Sequence, residues 1–146
     1  MVHHFVRQIM KYYCIKQHDM TDCGAACLAT ISRQNGLKLS ISTIREIAGT
    51  DKQGTNVFGM VKAAEKLGFT AKGVKGDKEA FFSEYPLPCI AHVVKDGSLL
   101  HYLVIHKITE RYVIVADPAI GIVKYVPDEF FKIWSGVLIL IVPTAQ

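Results

Sequence analysis

The spacing of apolar residues divides the chain into two halves. In the first half, apolar residues recur every three to four positions within segments bounded by capping residues and glycines, which predicts helices. These helices are expected over residues 23–34, 41–49, 57–68 and 77–85. Three of them have candidate N-caps before or at their first residues: Thr21 or Asp22, Ser40 or Ser42, and Thr55 or Asn56.

In the second half, β-branched and aromatic residues form short runs separated by turn sequences such as DGS, TE and DPAIG, which predicts strands. The runs cover residues 89–95, 99–108, 111–117, 121–126 and 136–142, with one short helix expected at 127–134. Helices followed by antiparallel strands are typical of an α+β domain. Pro86 is expected to mark the boundary between two lobes, and a cleft between lobes is a natural place for a site.

Length and composition fit a single globular domain. The chain has 146 residues, of which 50% are hydrophobic, and this is enough for one core. Its net charge of +4 comes from scattered Lys and Arg residues, so nucleic-acid binding is not expected. The longest aliphatic run, residues 137–142, is too short to cross a bilayer. The first residues lack a secretory signal, which favours a reducing compartment and free cysteines.

The four cysteines raise the question of metal binding or nucleophilic chemistry. Cys23 and Cys27 are one helical turn apart, but no second close Cys/His pair completes a zinc site, so neither a metal nor another cofactor is expected. Cys23 lies in the first turn of a predicted helix, where backbone N–H groups and the helix dipole favour the reactive thiolate. Cys23 is therefore a candidate nucleophile, whereas Cys14, Cys27 and Cys89 fit buried apolar side chains. A buried role for Cys23 stays open unless a base lies near it.

A candidate base follows from the pairing of two predicted strands. If the predicted strands at 99–108 and 111–117 form an antiparallel hairpin that turns around Thr109, residues whose numbers sum to 218 lie opposite each other. His101 then faces Asp117, within reach of a hydrogen bond. A carboxylate in this position orients an imidazole and stabilises the imidazolium. His92 and His106 gain no acidic partner and are expected to be strand histidines with ordinary hydrogen bonds.

Gln17 is the only side-chain amide shortly before the candidate nucleophile. Acyl transfer needs a nucleophile, a base, a group that orients the base, and donors for the oxyanion. Cys23, His101 and Asp117 fill the first three roles. The Cys23 backbone N–H and the Gln17 amide are then the candidate oxyanion donors. Without the other three residues, a surface glutamine would be the simpler interpretation.

Three sequence blocks that carry these residues, QHDMTDCGAACLATI, LHYLVI and VADPAIGI, resemble the motifs of a known family. They are similar to the bacteriocin-processing cysteine peptidases, the N-terminal papain-like domains of peptidase-containing ABC transporters. The similarity covers about residues 13–142 and shows no departure at the four candidate positions. It implies a papain-like α+β fold with a helical N-terminal lobe and an antiparallel sheet in the C-terminal lobe. It also implies Cys23 as nucleophile, His101 as base, Asp117 as its partner and Gln17 as the oxyanion-hole amide.

The resemblance implies a substrate and partners as well. The substrate is a precursor peptide with an amphipathic leader helix, cut after a Gly-Gly, Gly-Ala or Gly-Ser motif as the bacteriocin or lantibiotic is exported. The partners are the transmembrane and ATP-binding parts of the same transporter. The expected organisation is an N-terminal extension at 1–12, the peptidase domain at 13–142 and the start of a linker at 143–146. The excised domain is expected to be soluble and, within the transporter, to lie at the cytoplasmic side of the bacterial plasma membrane.

The predicted helix that begins at residue 57 suggests where the leader binds. Its apolar residues cover an arc wider than a helix needs to face a core. In one arrangement part of the arc packs inward, while Met60, Ala63 and Leu67 line an exposed groove for the leader. In the other arrangement the whole arc belongs to the core.

Three activities are consistent with these observations. The first is a cysteine endopeptidase acting on leader peptides, which the intact Cys23, His101 and Asp117 favour. The second is a non-catalytic leader-docking domain of an exporter. The third is a different papain-like activity, such as a transpeptidase or an amidase.

Overall fold

The computed structural model describes residues 11–48 and 56–144. Three helices come first: α1 (Cys23–Gln34), α2 (Ile41–Ala48) and α3 (Val57–Lys66). They are followed by β1 (Phe69–Lys75), α4 (Lys78–Phe81), β2 (Cys89–Lys95), β3 (Leu99–Ile108), β4 (Val113–Asp117), β5 (Gly121–Tyr125), α5 (Pro127–Phe131) and β6 (Trp134–Pro143). The order of elements is that of an α+β domain.

Some sequence expectations fall outside the described residues. The expected extension at 1–12 lies almost wholly outside them, as do the candidate cap Thr55 and the second half of the expected linker at 143–146. Among the residues that the structure describes, no helix combines the length and the hydrophobicity needed to cross a membrane.

Side-chain capping fixes where three of the helices begin. Asn56 accepts a hydrogen bond from the Gly59 N–H at 2.8 Å and so begins α3, and Ser40 and Asp77 cap α2 and α4 in the same way. α1 begins differently, because Asp22 occupies the N-cap position but makes no side-chain capping bond. Its buried carboxylate instead lies 3.1 Å from Nη1 of Arg45 on α2. This ion pair ties the start of α1 to the neighbouring helix.

The strands form one sheet in the order β1-β6-β2-β3-β4-β5, and every neighbouring pair is antiparallel. The sequence pattern did not reveal β1, which pairs along its length with β6 at one edge. Most side chains of β1 are exposed or half-buried, so its apolar alternation is weak. Because β1 precedes Pro86, the sheet draws strands from both sides of the predicted lobe boundary.

The β3–β4 hairpin has a longer tip than the predicted turn around Thr109. The Thr109 N–H donates to the Tyr112 carbonyl at 2.9 Å, so four residues form the connection. Ile105 pairs with Val115, which gives a sum of 220 rather than 218. The register of the pair also changes within the hairpin, because His106 is an extra residue in β3 that forms a β-bulge next to Ile105. Next to the turn, Lys107 pairs with Ile114, so the predicted register is wrong by three residues there. Beyond the bulge, on the side of His101, it is wrong by two residues, which leaves the same side chains on the same face.

Apolar side chains cover both faces of the sheet. On one face, α1, α2 and α3 pack over sheet residues that include Ile90, Val104 and Ile139. On the other face, Phe81 of α4 and Phe130 of α5 pack against the strands. Burial on two faces explains why several strands read as nearly continuous hydrophobic runs.

Candidate active site

Cys23 is the first residue of α1, and its side chain is half-buried. The next residue, Gly24, is buried against α3. A Cβ added to Gly24 would lie 2.7 Å from Met60 Sδ and 3.8 Å from the Tyr102 ring. Glycine therefore lets α1 begin in close contact with α3 and β3, which holds the Cys23 backbone against the sheet.

The structure brings His101 and Asp117 together. His101 Nε2 lies 2.8 Å from Asp117 Oδ1, and the two side chains are only 5% and 0% exposed. Continuing the observed register by one residue places Leu103, rather than His101, opposite Asp117. His101 and Asp117 are therefore diagonal neighbours, which are still within reach of each other for long side chains. The predicted hydrogen bond is present although the predicted register is wrong.

Cys23 lies beside His101, and its thiol is one of the groups that raise the pKa of the imidazole. Because Nε2 faces Asp117, Nδ1 is the ring nitrogen left for the sulfur. α1, β3 and β4 thus bring a thiol, an imidazole and a carboxylate together. Such a set is the arrangement that activates a cysteine nucleophile.

The charges in this set follow from competition between burial and hydrogen bonding. Burial lowers the pKa of His101, but hydrogen bonds to Asp117 and Cys23 and their negative charges raise it to about 9. Burial raises the pKa of Asp117, yet hydrogen bonds from His101, Lys95 and the Ala119 N–H lower it to about 2. At neutral pH the pair is therefore an imidazolium and a carboxylate.

Lys95 belongs to the same cluster, although the sequence pattern did not single it out. Its Nζ forms an ion pair with Asp117 Oδ2, and its side chain is only 17% exposed. Lys95 could have been identified from the pairing of β2 with β3. Val93 lies opposite His101, so Lys95, two residues further along β2, lies on the same face and diagonal to His101.

Gln17 lies next to the segment that follows Asp117. Its backbone N–H donates to the Pro118 carbonyl at 2.9 Å. Its side chain is half-buried, and Oε1 is buried without a hydrogen-bond partner within residues 11–48 and 56–144. An unpaired buried amide oxygen is rare in proteins. This setting differs from that of a surface glutamine.

Two other histidines have structural hydrogen bonds. His106 Nε2 donates to the Tyr13 carbonyl at 2.8 Å, and His92 Nδ1 lies 2.9 Å from Ser135 Oγ. Burial lowers the pKa of both imidazoles. The prediction that they are strand histidines with ordinary hydrogen bonds is confirmed. The part of the chain that the structure describes has no group of three or more His, Cys, Asp or Glu side chains placed to hold a metal ion.

The predicted leader groove on α3 is wrong at two of its three positions. Met60 and Ala63 are 1% and 2% exposed and belong to the core beneath the helices. They are buried because α1 and the sheet pack against this face of α3. Leu67 is half-buried at the edge of the same core. Met60 and Ala63 therefore follow the alternative arrangement, in which the apolar arc belongs to the core.

Known proteins similar to this chain identify its sequence family. The model of the family described as the peptidase C39 family matches residues 11–146. The lactococcin-G-processing and transport ATP-binding protein LagD of Lactococcus lactis subsp. lactis is 41% identical over 133 residues, which are 90% of this chain and 19% of that protein. The pediocin PA-1 transport/processing ATP-binding protein PedD of Pediococcus acidilactici is 38% identical over 139 residues, which are 93% of this chain and 19% of that protein. The chain thus spans about a fifth of the length of these curated relatives.

Solved structures share the described fold. The peptidase domain of Streptococcus ComA, a bifunctional ABC transporter involved in a quorum-sensing pathway, has a TM-score of 0.85 and 34% identity, with 92% of this chain and 100% of that chain covered. A double glycine motif protease from an AMS/PCAT transporter, solved in complex with the leader peptide, has a TM-score of 0.82 and 30% identity. That match covers 92% of this chain and 93% of the protease. Both matches therefore take in the helices as well as the sheet.

Proposed function

The chain belongs to the peptidase C39 family of cysteine peptidases, and from this premise we propose that it removes the leader from bacteriocin or lantibiotic precursor peptides. The cut falls after a double-glycine type motif: Gly-Gly, Gly-Ala or Gly-Ser. The observation that carries the proposal is the buried His101–Asp117 hydrogen bond, with the Cys23 thiol beside His101 at the start of a helix. Relatives named as processing and transport proteins, and the similar protease with its leader peptide, support this substrate class.

In the proposed mechanism, the thiolate of Cys23 attacks the carbonyl carbon of the residue before the scissile bond. A C–S bond forms, and an electron pair moves onto the carbonyl oxygen. The Cys23 backbone N–H and the Gln17 side-chain amide donate hydrogen bonds to this oxyanion. When the tetrahedral intermediate collapses, the C–N bond breaks, and His101 gives its proton to the amine that becomes the N-terminus of the mature peptide.

Hydrolysis of the thioester restores the enzyme. His101, now neutral, takes a proton from a water molecule whose oxygen attacks the thioester carbonyl. The C–S bond breaks, Cys23 leaves as a thiolate beside the imidazolium, and the leader departs with a new C-terminal carboxylate. Throughout, the Asp117 carboxylate holds Nε2 of His101, which keeps Nδ1 directed at the sulfur and stabilises the imidazolium.

We further propose that the domain acts within a transporter. Its curated relatives are about five times longer and carry ATP-binding and transport functions in their names. In this arrangement the domain binds the amphipathic leader of the precursor, and the transmembrane and ATP-binding parts export the released peptide. Because precursors are synthesised in the cytoplasm, the domain would act at the cytoplasmic side of the plasma membrane. Residues 13–142 would form the peptidase, preceded by the extension at 1–12 and followed by the linker at 143–146.

Cleavage of synthetic precursors by the purified domain tests this proposal. Candidate precursors are peptides encoded near the gene that carry a double-glycine type motif, and the products are identified by mass spectrometry. We expect a single cut directly after the second residue of the motif. A matched peptide with Leu as the residue before the cut should stay intact, since the motif contains only small residues.

The same experiment separates the other two activities. Binding of the precursor without any cleavage would refute the peptidase and support a leader-docking domain. Preferential transfer of the leader to an added amine, in place of hydrolysis, would support a transpeptidase.

A further inference from the structure

We propose that Lys95 is a positioning residue of the catalytic cluster, acting on His101 through the Asp117 carboxylate. The inference deepens the proposed function and rests on it, because it assigns a role within the same cleavage reaction. Lys95 holds one carboxylate oxygen so that the other stays aimed at the imidazole.

Each oxygen of the Asp117 carboxylate has its own donors. Oδ1 accepts from His101 Nε2 at 2.8 Å and from the Ala119 N–H at 2.9 Å, and Oδ2 accepts from Lys95 Nζ. Rotation about the terminal torsion of an aspartate is soft, so a carboxylate held through one oxygen alone has freedom to turn. The charge-assisted bond to Lys95 removes this freedom. The orientation of His101 therefore depends on a residue that does not touch it.

Lys95 is itself held on a rigid element. It is the last residue of β2 and pairs with Leu99 across a tight turn that the Ser98 N–H closes by donating to the Lys95 carbonyl at 3.1 Å. In the turn, Asp96 and Gly97 have positive φ angles of 51° and 78°. With only 17% of its side chain exposed, Lys95 is unlike a typical solvated surface lysine. Its ammonium group forms an ion pair with Asp117.

Several titratable groups surround the carboxylate. From β2, β3 and β5 these are Lys95, His101 and Tyr125, and from α1 and the segment before it they are Cys14 and Cys27. Lys16 lies near Cys14, and Cys23 lies near His101 and Cys27. Lys95 and His101 are the two cations bonded to Asp117 in the described structure. Lys95 thus favours the ionised carboxylate, which in turn favours the imidazolium that gives its proton to the leaving amine.

Kinetics of Lys95 variants with a cleavable synthetic precursor test the proposal. Lys95→Met and Lys95→Gln should lower kcat by about 10- to 100-fold with KM nearly unchanged, since misplaced catalytic groups affect the transition state. The alkaline limb of kcat/KM should also move to lower pH, by about half a pH unit or more, because a carboxylate that is no longer held against the imidazole raises the pKa of His101 less. Lys95→Arg keeps the charge and the donor, so it should retain most of the activity. Lys72→Met, at an exposed position on β1, should behave like the unmodified protein.

The outcomes separate this inference from the proposed function. If the unmodified protein cleaves no precursor, the proposed function fails first. If it cleaves, but the Lys95 variants keep their kcat and their alkaline limb, the positioning role is refuted, even where thermal melts show lower stability. Lys95→Gln, which retains a hydrogen-bond donor without the charge, provides the decisive comparison should Lys95→Met fold poorly.

Discussion

His101 carries a positive charge at neutral pH because its hydrogen bonds and anionic neighbours outweigh the effect of burial. In the proposed mechanism this proton goes to the leaving amine, so activity requires the imidazolium. With its pKa at about 9, kcat/KM should fall as the pH rises through about 9. Asp117→Asn removes a charge that raises this pKa, so the fall should begin at lower pH. Initial rates across the alkaline range measure both curves, and a fall already centred near 6.5 in the unmodified protein would contradict the assignment.

Gln17 tests the oxyanion hole at the same scale. Gln17→Ala removes one of two proposed donors and should lower kcat by about 10²–10³. KM should change little, because the bond strengthens only in the transition state. Gln17→Glu should be at least as harmful, since a carboxylate offers no donor and repels the developing charge. Normal cleavage by both variants would show that the Gln17 side chain is not an oxyanion donor and that Gln17 only anchors its segment to Pro118 through its backbone.

Residue identities could be read from the sequence more readily than their partners. Cys23, His101, Asp117 and Gln17 stand out because motif chemistry and family resemblance select residue types at given positions. Lys95 was not found, since a lysine at the end of a strand looks like an ordinary surface residue until the pairing of β2 with β3 is considered. Its burial and its ion pair are properties of the folded chain.

At the scale of elements, local chemistry predicted the helices and most strands, while pairing details escaped it. The bounds of α1, β2 and β3 agree with the predicted segments because caps, turns and apolar runs are local signals. The β3–β4 register depends on a four-residue turn and a bulge at His106, which the apolar pattern does not specify. The His101–Asp117 hydrogen bond was still predicted correctly, because a shift of two residues keeps both side chains on one face of the sheet.

Burial of α3 gives a prediction at the element scale. Met60→Asp places an unpaired charge in the core between α1, α3 and the sheet, and should cost several kcal/mol of stability. Met60→Leu conserves volume and polarity, so it should cost less than about 1.5 kcal/mol. Thermal melts followed by circular dichroism compare the two variants. If the Met60→Asp protein keeps its Tm and shows only a raised KM, Met60 lines an exposed leader groove and the core assignment is wrong.

At the scale of the whole molecule, the chain has the papain-like α+β fold of its family, and the candidate site exists only through that fold. α1 comes from the first half of the chain, whereas β2, β3 and β4 come from the second half. Helix packing, strand pairing and the Gln17–Pro118 hydrogen bond bring these parts together. The sequence indicated the fold class and the chemistry through local patterns and motifs. The two-sided core, the edge strand β1 and the burial of Met60 depend on contacts between distant segments, which such patterns do not contain.

The central claim is that Cys23 is the nucleophile of a peptidase that removes a leader. The most direct measurement compares the unmodified protein, Cys23→Ala and Cys89→Ala with one cleavable precursor, recording cleavage rate and peptide binding together. Cys89 is a buried cysteine in the core on the other face of the sheet, so its variant controls for the loss of a thiol. We expect Cys23→Ala to abolish cleavage while still binding the precursor, and Cys89→Ala to keep cleaving. Cleavage by Cys23→Ala at a substantial fraction of the unmodified rate would contradict the claim.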